Sequence, residues 1–411
     1  MKERCHQRVS RVRRSRANLA RFLLTVGLAL GLYSLLAAGS SSESAPLFTR
    51  VSASTAVPAE IAGHVMFVDV LVNGQGPFRF MVDTGCSVTL VSPELAGEVG
   101  AMVEDQDENP FVASNGLGDP TQVQRVMLGS IDLGRASFEG VPAAISDSFA
   151  SLSAIEGRRI DGALGFPLFR DLFVGLDFPN RRLLLGNQWP ADAPSIRANL
   201  AVVEHADVPF VRVLIQGNPI EVMIDTGANQ GLQLPVELAP AFEWKVEPRA
   251  GPLVAVVGEV GREGIGRLSG TLSLGDLQQI EPTAVISTGP ASLGLRSLER
   301  FCLIFHQAED RLWICGGDPA PVKPTAERSI GLSLYAAQGG LRIAGVIPGS
   351  PAEAAHLSAG SLVTHIEETP AADWTRDQME QWIASHPSIA LVVADNDGER
   401  RLTLPVWDLV P

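Results

Sequence analysis

Two aspartates stand in the same short motif at two places in the chain. The stretch FMVDTG at 80–85 recurs as VMIDTG at 222–227, so Asp83 and Asp225 lie 142 residues apart. Each carboxyl follows an apolar run and precedes a Thr-Gly turn, which predicts a fixed loop at the end of a strand. If the two loops face each other, carboxyls about 3 Å apart share one proton near neutral pH. Such a pair can take a proton from water and give one to a carbonyl oxygen.

The sequence around the two motifs is also repeated. Matching pairs follow in the same order: FVDVLV 67–72 and FVRVLI 210–215, ELA 94–96 and 237–239, SIDLG 130–134 and TLSLG 271–275, AAIS 143–146 and AVIS 284–287. The offset stays near 140 residues, which indicates an internal duplication. A single Asp before Thr-Gly is often only a turn cap. Two copies of the motif within matching flanking sequences favour a functional pair of aspartates.

The composition indicates a globular protein rich in turns and strands. The chain has 411 residues, 45% of them hydrophobic, with 40 Gly and 28 Pro, which leaves room for two or three domains. Short alternating apolar runs between turn residues recur over 60–315 and predict a mainly β structure. The net charge is −14, and an acidic surface argues against nucleic acid as a partner.

The two motifs resemble a known active site. VDTGCS at 82–87 and IDTGAN at 224–229 are similar to the catalytic loops of pepsin/retropepsin-like aspartic proteases, and ALG at 163–165 and SLG at 292–294 are similar to the family's later apolar-apolar-Gly element. Hairpins predicted at 174–185 and 303–314 follow these elements. The resemblance covers residues 60 to about 317 and implies two tandem retropepsin-like β-barrel lobes, 60–190 and 200–317, with the cleft between them. It implies an aspartic endopeptidase that cleaves protein or peptide substrates, without a metal or cofactor.

The resemblance assigns roles to residues of both copies. Asp83 and Asp225 are the predicted catalytic pair. Supporting roles are expected for Thr84, Gly85, Thr226 and Gly227, and substrate binding for Ser87, Asn229, Gly116 and Gly258, the last two in glycine-rich flap candidates. Each Thr hydroxyl is in a position to bond the opposite loop and hold the halves together. Both carboxyls come from one chain, so we expect a monomer to be sufficient for catalysis.

Some features depart from the family pattern. The second copy has Ser292 and Asn229 where the first has Ala163 and Ser87, and both tyrosines lie outside the two lobes. Two alternatives therefore stay open: a catalytically inactive exported peptide-binding scaffold, and a precursor that cleaves only itself. Cys86 is expected to be a small core residue rather than a nucleophile, since no histidine is near it in sequence.

The N-terminus has the parts of an export signal. Residues 1–21 carry eight Lys or Arg and one Glu, and 17 uncharged residues follow at 22–38. We interpret 1–39 as a signal peptide or a membrane anchor, with both readings open, and 40–59 as a flexible linker. Either interpretation places the catalytic body outside the cytoplasmic membrane, in the periplasm or the extracellular space.

The C-terminal part resembles a different fold. A Pro-rich linker at 318–327 precedes residues 328–409, in which GLSL at 331–334 and GLRIAGVIPGSPAEAA at 340–355 are similar to a PDZ domain of exported bacterial proteases. This implies an α+β domain that recognises a substrate or partner. A peptide C-terminus would bind at Gly331, Leu332, Ser333 and Leu334. The alternative is a PDZ fold used only for packing.

Cysteines and histidines add little chemistry. Cys302 and Cys315 flank the second predicted hairpin, and a disulfide between them requires that they face each other across the strands. The seven histidines show no metal-ligand spacing. The sequence therefore predicts no metal site.

Overall fold

The structure is a computed structural model that describes residues 45–51, 54–103, 112–114, 120–122, 124–205, 207–256, 259–318, 320–395 and 398–411. The predicted signal or anchor at 22–38 lies outside the described residues. Among the helices that are described, none combines the length and apolar character needed to cross a bilayer.

Lobe 1 is built mainly from strands. Its strands are β1 (Phe48–Val51), β2 (Thr55–Ala62), β3 (Val65–Val72), β4 (Gln75–Asp83), β5 (Thr89–Val91), β6 (Met102–Val103), β7 (Val112–Ser114), β8 (Pro120–Gln122), β9 (Gln124–Leu133), β10 (Ala136–Ile145), β11 (Gly162–Gly165), β12 (Phe173–Asp177) and β13 (Arg182–Gly186). Helices α1 (Pro93–Glu98) and α2 (Ser148–Glu156) join them. Six strands close into a barrel in the order β3, β4, β11, β5, β10, β9 and back to β3.

Local sequence explains the hairpin that leads to the first aspartate. In β3 the side chains alternate towards its end, with Asp69 and Leu71 exposed and Val70 and Val72 buried. A two-residue turn follows in which both residues, Asn73 and Gly74, have positive φ (51° and 74°). Asn-Gly favours this turn because both residues tolerate left-handed backbone. The turn sets the register that places Asp83 at the end of β4.

Lobe 2 repeats this arrangement. Its elements are β14 (Ile196–His205), β15 (Val208–Ile215), β16 (Asn218–Ile224), β17 (Leu232–Pro235), β18 (Trp244–Val256), β19 (Glu259–Leu268), β20 (Thr271–Leu274), β21 (Leu277–Ile280), β22 (Thr283–Ser287), β23 (Ser292–Leu293), helix α3 (Leu295–Leu298), β24 (Cys302–His306) and β25 (Arg311–Cys315). β15, β16, β23, β17, β22 and β19 pair in the order of their lobe 1 counterparts. One difference is a turn at Gly270 (φ +75°), which separates β19 from β20. As a result β20, rather than β19, pairs with β15.

One antiparallel sheet joins the two lobes. Its order is β2, β13, β12, β24, β25, β14, three strands from each half. The hydrophobic core is continuous across both lobes. Both predicted hairpins are confirmed as β12–β13 and β24–β25. Cys302 and Cys315 are direct cross-strand neighbours, both buried as free thiols.

The predicted flexible linker at 40–59 differs from the structure. β1 pairs with β10, and β2 pairs with β3 and β13, so residues 48–51 and 55–59 are strands. The serine-rich stretch at 40–44 resembles a linker, and the prediction extends it to the residues that follow. However, the edges of a barrel and of a sheet offer unpaired backbone groups that a neighbouring segment can satisfy.

The third domain has its own sheet and core. Its elements are β26 (Glu327–Ser329), β27 (Leu332–Ala337), β28 (Gly340–Val346), helix α4 (Pro351–Ala354), β29 (Leu362–Ile366), β30 (Thr369–Pro370), helix α5 (Arg376–Ser385), β31 (Ser388–Asp395), β32 (Gly398–Pro405) and β33 (Trp407–Val410). The main sheet runs β27, β28, β29, β31, β32, which makes β27 an edge strand. A separate apolar cluster fills this domain.

A buried arginine attaches the third domain to lobe 2. Arg267, on β19, is only 2% exposed. It donates to the main-chain oxygens of Pro411 (2.7 Å), Glu281 (3.0 Å) and Thr325 (2.5 Å). Burying a guanidinium is favourable only when its donors are satisfied in this way. The Pro-rich linker also lies against lobe 2, because Val322 bonds Ile280 and Gln278 of β21.

A second junction connects the third domain to both lobes through charges. The Gly63 N–H donates to the Asp377 carboxylate (3.0 Å) at the start of α5. His64 contacts Glu299 of lobe 2 (Nδ1–Oε2, 2.7 Å) and Glu380 of α5 (Nε2–Oε2, 3.3 Å). Hydrogen bonds to Glu299 and Glu380 raise the pKa of His64 to about 9. Burial acts to raise the pKa of Glu380, but the bond to His64 and the charges of Arg376 and Arg296 outweigh it and lower this pKa to about 2.

We predict that His64 stabilises the contact between the third domain and the two lobes only while its imidazole is protonated. Its pKa is raised from 6.5 to about 9, so the stabilisation is complete below about pH 6.5 and is lost as the pH rises through 9. His64→Asn suits the positive φ of this position (64°) and removes the charge, at a cost on the order of 2 kcal/mol. Urea unfolding midpoints measure the difference.

The control for this prediction is His365→Asn, at an exposed position of β29. The wild type should exceed His64→Asn in stability at pH 6, and the two should converge at pH 10. An equal difference at both pH values would contradict the assignment.

Candidate active site

The two aspartates occupy equivalent places in the two lobes. Asp83 ends β4, and β11 runs parallel beside it with Gly165 opposite Asp83. Asp225 directly follows β16, and β23 runs parallel beside that strand with Leu293 opposite Ile224. Each loop is therefore held by a neighbouring strand of its own lobe.

The loops meet face to face, so that each carboxyl lies against the opposite loop and the charge of Asp83 acts on the pKa of Asp225. Each glycine lies directly against the opposite carboxyl. A Cβ on Gly85 would stand 2.6 Å from Asp225 Oδ1, and a Cβ on Gly227 would lie within 2.6 Å of all three atoms of the Asp83 carboxyl. Only glycine allows this approach, since real Cβ atoms essentially never come within 3.0 Å of another heavy atom.

Two buried threonines cross-link the loops, as the sequence predicts. The Thr84 hydroxyl donates to the Ile224 carbonyl (2.5 Å) and accepts from the Thr226 N–H (3.1 Å). The Thr226 hydroxyl donates to the Val82 carbonyl (2.8 Å) and accepts from the Thr84 N–H (3.0 Å). Both side chains are buried. The four bonds fix the relative position of the two carboxyls.

Each carboxyl also accepts hydrogen bonds from its own loop. Asp83 Oδ1 accepts from the Gly85 N–H (2.8 Å), and Asp83 Oδ2 accepts from the Cys86 thiol (3.1 Å). Asp225 Oδ1 accepts from the N–H groups of both Gly227 (3.0 Å) and Ala228 (3.1 Å). The two sites therefore differ in how the second oxygen is bonded.

Burial and proximity set the protonation of this pair. Burial raises the pKa of Asp83, against the hydrogen bonds from Cys86 and Gly85. Burial and the charge of Asp83 raise the pKa of Asp225 to about 8. The pair therefore holds one proton near neutral pH. Within the described residues, no group of His, Cys, Asp and Glu side chains is arranged to hold a metal ion.

Of the four residues predicted to bind substrate, the structure describes two. Ser87 and Asn229 are partly exposed and follow the two loops by two residues. Gly116 and Gly258 lie outside the described residues. The strands around them are described as the hairpins β7–β8 and β18–β19.

The predicted peptide-binding edge of the third domain contacts both lobes. Gly331 has φ +89° just before β27, and Leu332 and Leu334 pack partly buried against the core of the domain. The Ser333 hydroxyl accepts a hydrogen bond from the Leu253 N–H of β18 (2.8 Å). Helix α2 of lobe 1 packs against β27. In this arrangement β27 is not free along its length.

Sequence reasoning missed the role of one residue of the active site and of two residues that attach the third domain. Cys86 does pack against the apolar cluster of lobe 1, as expected. It also bonds a carboxyl, which only its position directly after Asp-Thr-Gly could have suggested. The docking residues Arg267 and His64 carried no sequence signal either, because their partners lie in distant parts of the chain.

Comparison with known families agrees with the architecture of lobe 1. Residues 68–168 match a family model described as aspartyl protease. The match spans β3 to β11 and includes Asp83. Among curated proteins, none matches this chain. These findings support an aspartyl protease domain, and the closed six-stranded barrel is consistent with a retropepsin-like fold.

Proposed function

We propose that this protein is an aspartic endopeptidase that hydrolyses peptide bonds of protein substrates with a water activated by Asp83 and Asp225. The observation that carries the proposal is the close approach of a buried carboxyl, Asp83, and a half-buried one, Asp225, at the junction of two like lobes. The aspartyl protease match over 68–168 supports the same reaction class.

The proposed reaction needs no group beyond the two carboxyls and water. The ionised carboxyl takes a proton from the water as its oxygen attacks the peptide carbonyl carbon, and the protonated carboxyl donates to the carbonyl oxygen. The tetrahedral intermediate then collapses, the C–N bond breaks, and the leaving nitrogen receives a proton from the pair. The threonine cross-links hold both carboxyls in place throughout, which lowers the entropic cost of reaching the transition state.

We propose that the substrate lies extended in the cleft beside Ser87 and Asn229, under hairpins that include Gly116 and Gly258. An extended peptide can bond the backbone of such hairpins like an added strand. One chain supplies both carboxyls, so the proposal requires no second copy. The basic and apolar N-terminal segment supports export to the periplasm or beyond, with the catalytic body outside the cytoplasmic membrane.

We further propose that the third domain is a PDZ domain that recognises a substrate or partner. Its edge strand β27 and the glycine before it support this assignment. Because α2 and β18 contact β27, a peptide adds to this edge only after the domain separates from the lobes.

The inactive-scaffold alternative is not favoured by the substitutions that motivated it. Ser292 is buried in β23 and pairs with β16 where Ala163 pairs with β4. Asn229 follows a loop whose hydrogen bonds to Asp225 are intact.

The test is cleavage of an unfolded protein substrate by the purified chain. We expect the double variant Asp83→Asn with Asp225→Asn to lose at least about a thousandfold in kcat/KM. Asp69→Asn, an exposed aspartate of β3, is the control and should retain wild-type activity. Activity that survives in the double variant would overturn the proposal. Saturable peptide binding without turnover in the wild type would instead favour the scaffold.

A further inference from the structure

The two halves of the active site differ in the residue that directly follows Asp-Thr-Gly. Cys86 follows the first Asp-Thr-Gly and Ala228 follows the second. The thiol of Cys86 donates to Asp83 Oδ2, whereas Ala228 contributes only its main-chain N–H. That N–H bonds Asp225 Oδ1, which already accepts from Gly227.

This difference changes the balance between the two carboxyls. Among the residues that the structure describes, loop donors bond both oxygens of Asp83 but only Oδ1 of Asp225. A hydrogen bond donated to a carboxylate favours its ionised form. The described donors of the second loop bond Asp225 Oδ1 and leave its Oδ2 as the oxygen best able to carry a proton.

We propose that Cys86 is a positioning residue whose S–H holds the negative charge of the pair on Asp83 and leaves the shared proton on Asp225. The inference rests on the proposed function and gives the two aspartates separate roles. Asp83 is the base that takes the proton from water. Asp225 is the acid that donates to the substrate carbonyl.

The environment keeps the thiol in the form that this role requires. Burial and the charge of Asp83 raise the pKa of Cys86 well above its usual value. The S–H therefore stays protonated and remains a donor rather than a nucleophile. The titratable groups that face Asp83 are Asp225 and Cys86, and the remaining bonds to its carboxyl come from the backbone.

The first experiment compares pH profiles of kcat/KM for the wild type, Cys86→Ala and Cys86→Ser. Without the donor, Asp83 is protonated at higher pH. As the pH is lowered, kcat/KM therefore begins to fall at a higher pH than in the wild type. We expect the ratio of kcat/KM at pH 4 to that at pH 6 to fall roughly three- to tenfold in Cys86→Ala. Cys86→Ser restores a donor and should restore the wild-type ratio.

Two outcomes of this experiment would overturn the proposal. One is an unchanged ratio in Cys86→Ala. The other is an equal shift in both variants, which would mean that Cys86 acts only by packing. If the wild type cleaves nothing, the proposed function fails and the second experiment tests the hydrogen bond alone.

The second experiment measures alkylation of Cys86 by iodoacetamide at pH 8, followed by mass spectrometry of the peptide that contains it. Asp83→Asn removes the negative charge that suppresses the thiolate, so labelling should be roughly tenfold faster than in the wild type. Asp69→Asn should label at the wild-type rate. Equal rates in Asp83→Asn and the wild type would overturn the hydrogen bond, whatever the enzymatic activity.

Discussion

Thr226→Val is expected to lower the free energy of unfolding by about 3–4 kcal/mol and to reduce peptide cleavage severely. Valine keeps the shape of threonine but removes the hydroxyl. The Val82 carbonyl then loses its donor (2.8 Å) and the Thr84 N–H loses its acceptor (3.0 Å), in a site where both threonines are buried. Each unsatisfied group costs about 1–3 kcal/mol because water cannot replace the missing partner.

The loss of activity has a separate cause from the loss of stability. The threonine bonds hold Asp83 and Asp225 at a fixed distance. A small displacement of either carboxyl makes it harder for the two to share one proton. Thr89→Val is the matched control, since Thr89 is equally buried but accepts only one longer bond, from the Gly165 N–H (3.3 Å). Urea unfolding and the cleavage assay measure both effects. If the two variants are equally stable, the threonine cross-link does not stabilise the junction.

Gly227→Ala is expected to reduce kcat/KM by at least about a hundredfold. The added Cβ would overlap the Asp83 carboxyl, so either that carboxyl or the loop must move. Gly227 does not have positive φ, and the penalty therefore comes from contact alone and not from backbone strain. Gly85→Ala should act in the same way through Asp225, at 2.6 Å.

Gly97→Ala is the control for the glycine prediction. Gly97 lies in α1, and a Cβ there meets no atom within 4 Å. Alanine at this helical position should stabilise the protein by about 0.5–1 kcal/mol and leave cleavage unchanged. Near-normal activity in Gly227→Ala would show that the loops do not need to approach so closely.

The local part of the site was predictable from the sequence. The apolar runs before Asp83 and Asp225 form β4 and β16, and the Asn-Gly turn forms the hairpin that leads to Asp83. Such features depend on neighbours within a few residues. The duplication also predicted that the same architecture would appear twice, and the threonine cross-links followed from that symmetry.

The sequence did not reveal how the third domain is attached. The Pro-rich segment predicts a stiff linker, but it does not indicate that Val322 bonds β21 or that Arg267 bonds Pro411. A buried arginine looks like any surface arginine in a sequence, since its environment depends on partners up to 144 residues away. The charges of His64, Glu299 and Glu380 are likewise ordinary until the fold brings them together.

The two motifs, the strands that lead to them and the pairing of two carboxyls are therefore features that the sequence predicts. The fold brings the two carboxyls together, gives Asp83 a thiol donor, and places the third domain against both lobes. The two sets of features differ in the range of the interactions that produce them. Turns and strand alternation arise from short-range sterics and burial, whereas pKa values and docking depend on which distant groups exclude water from one another.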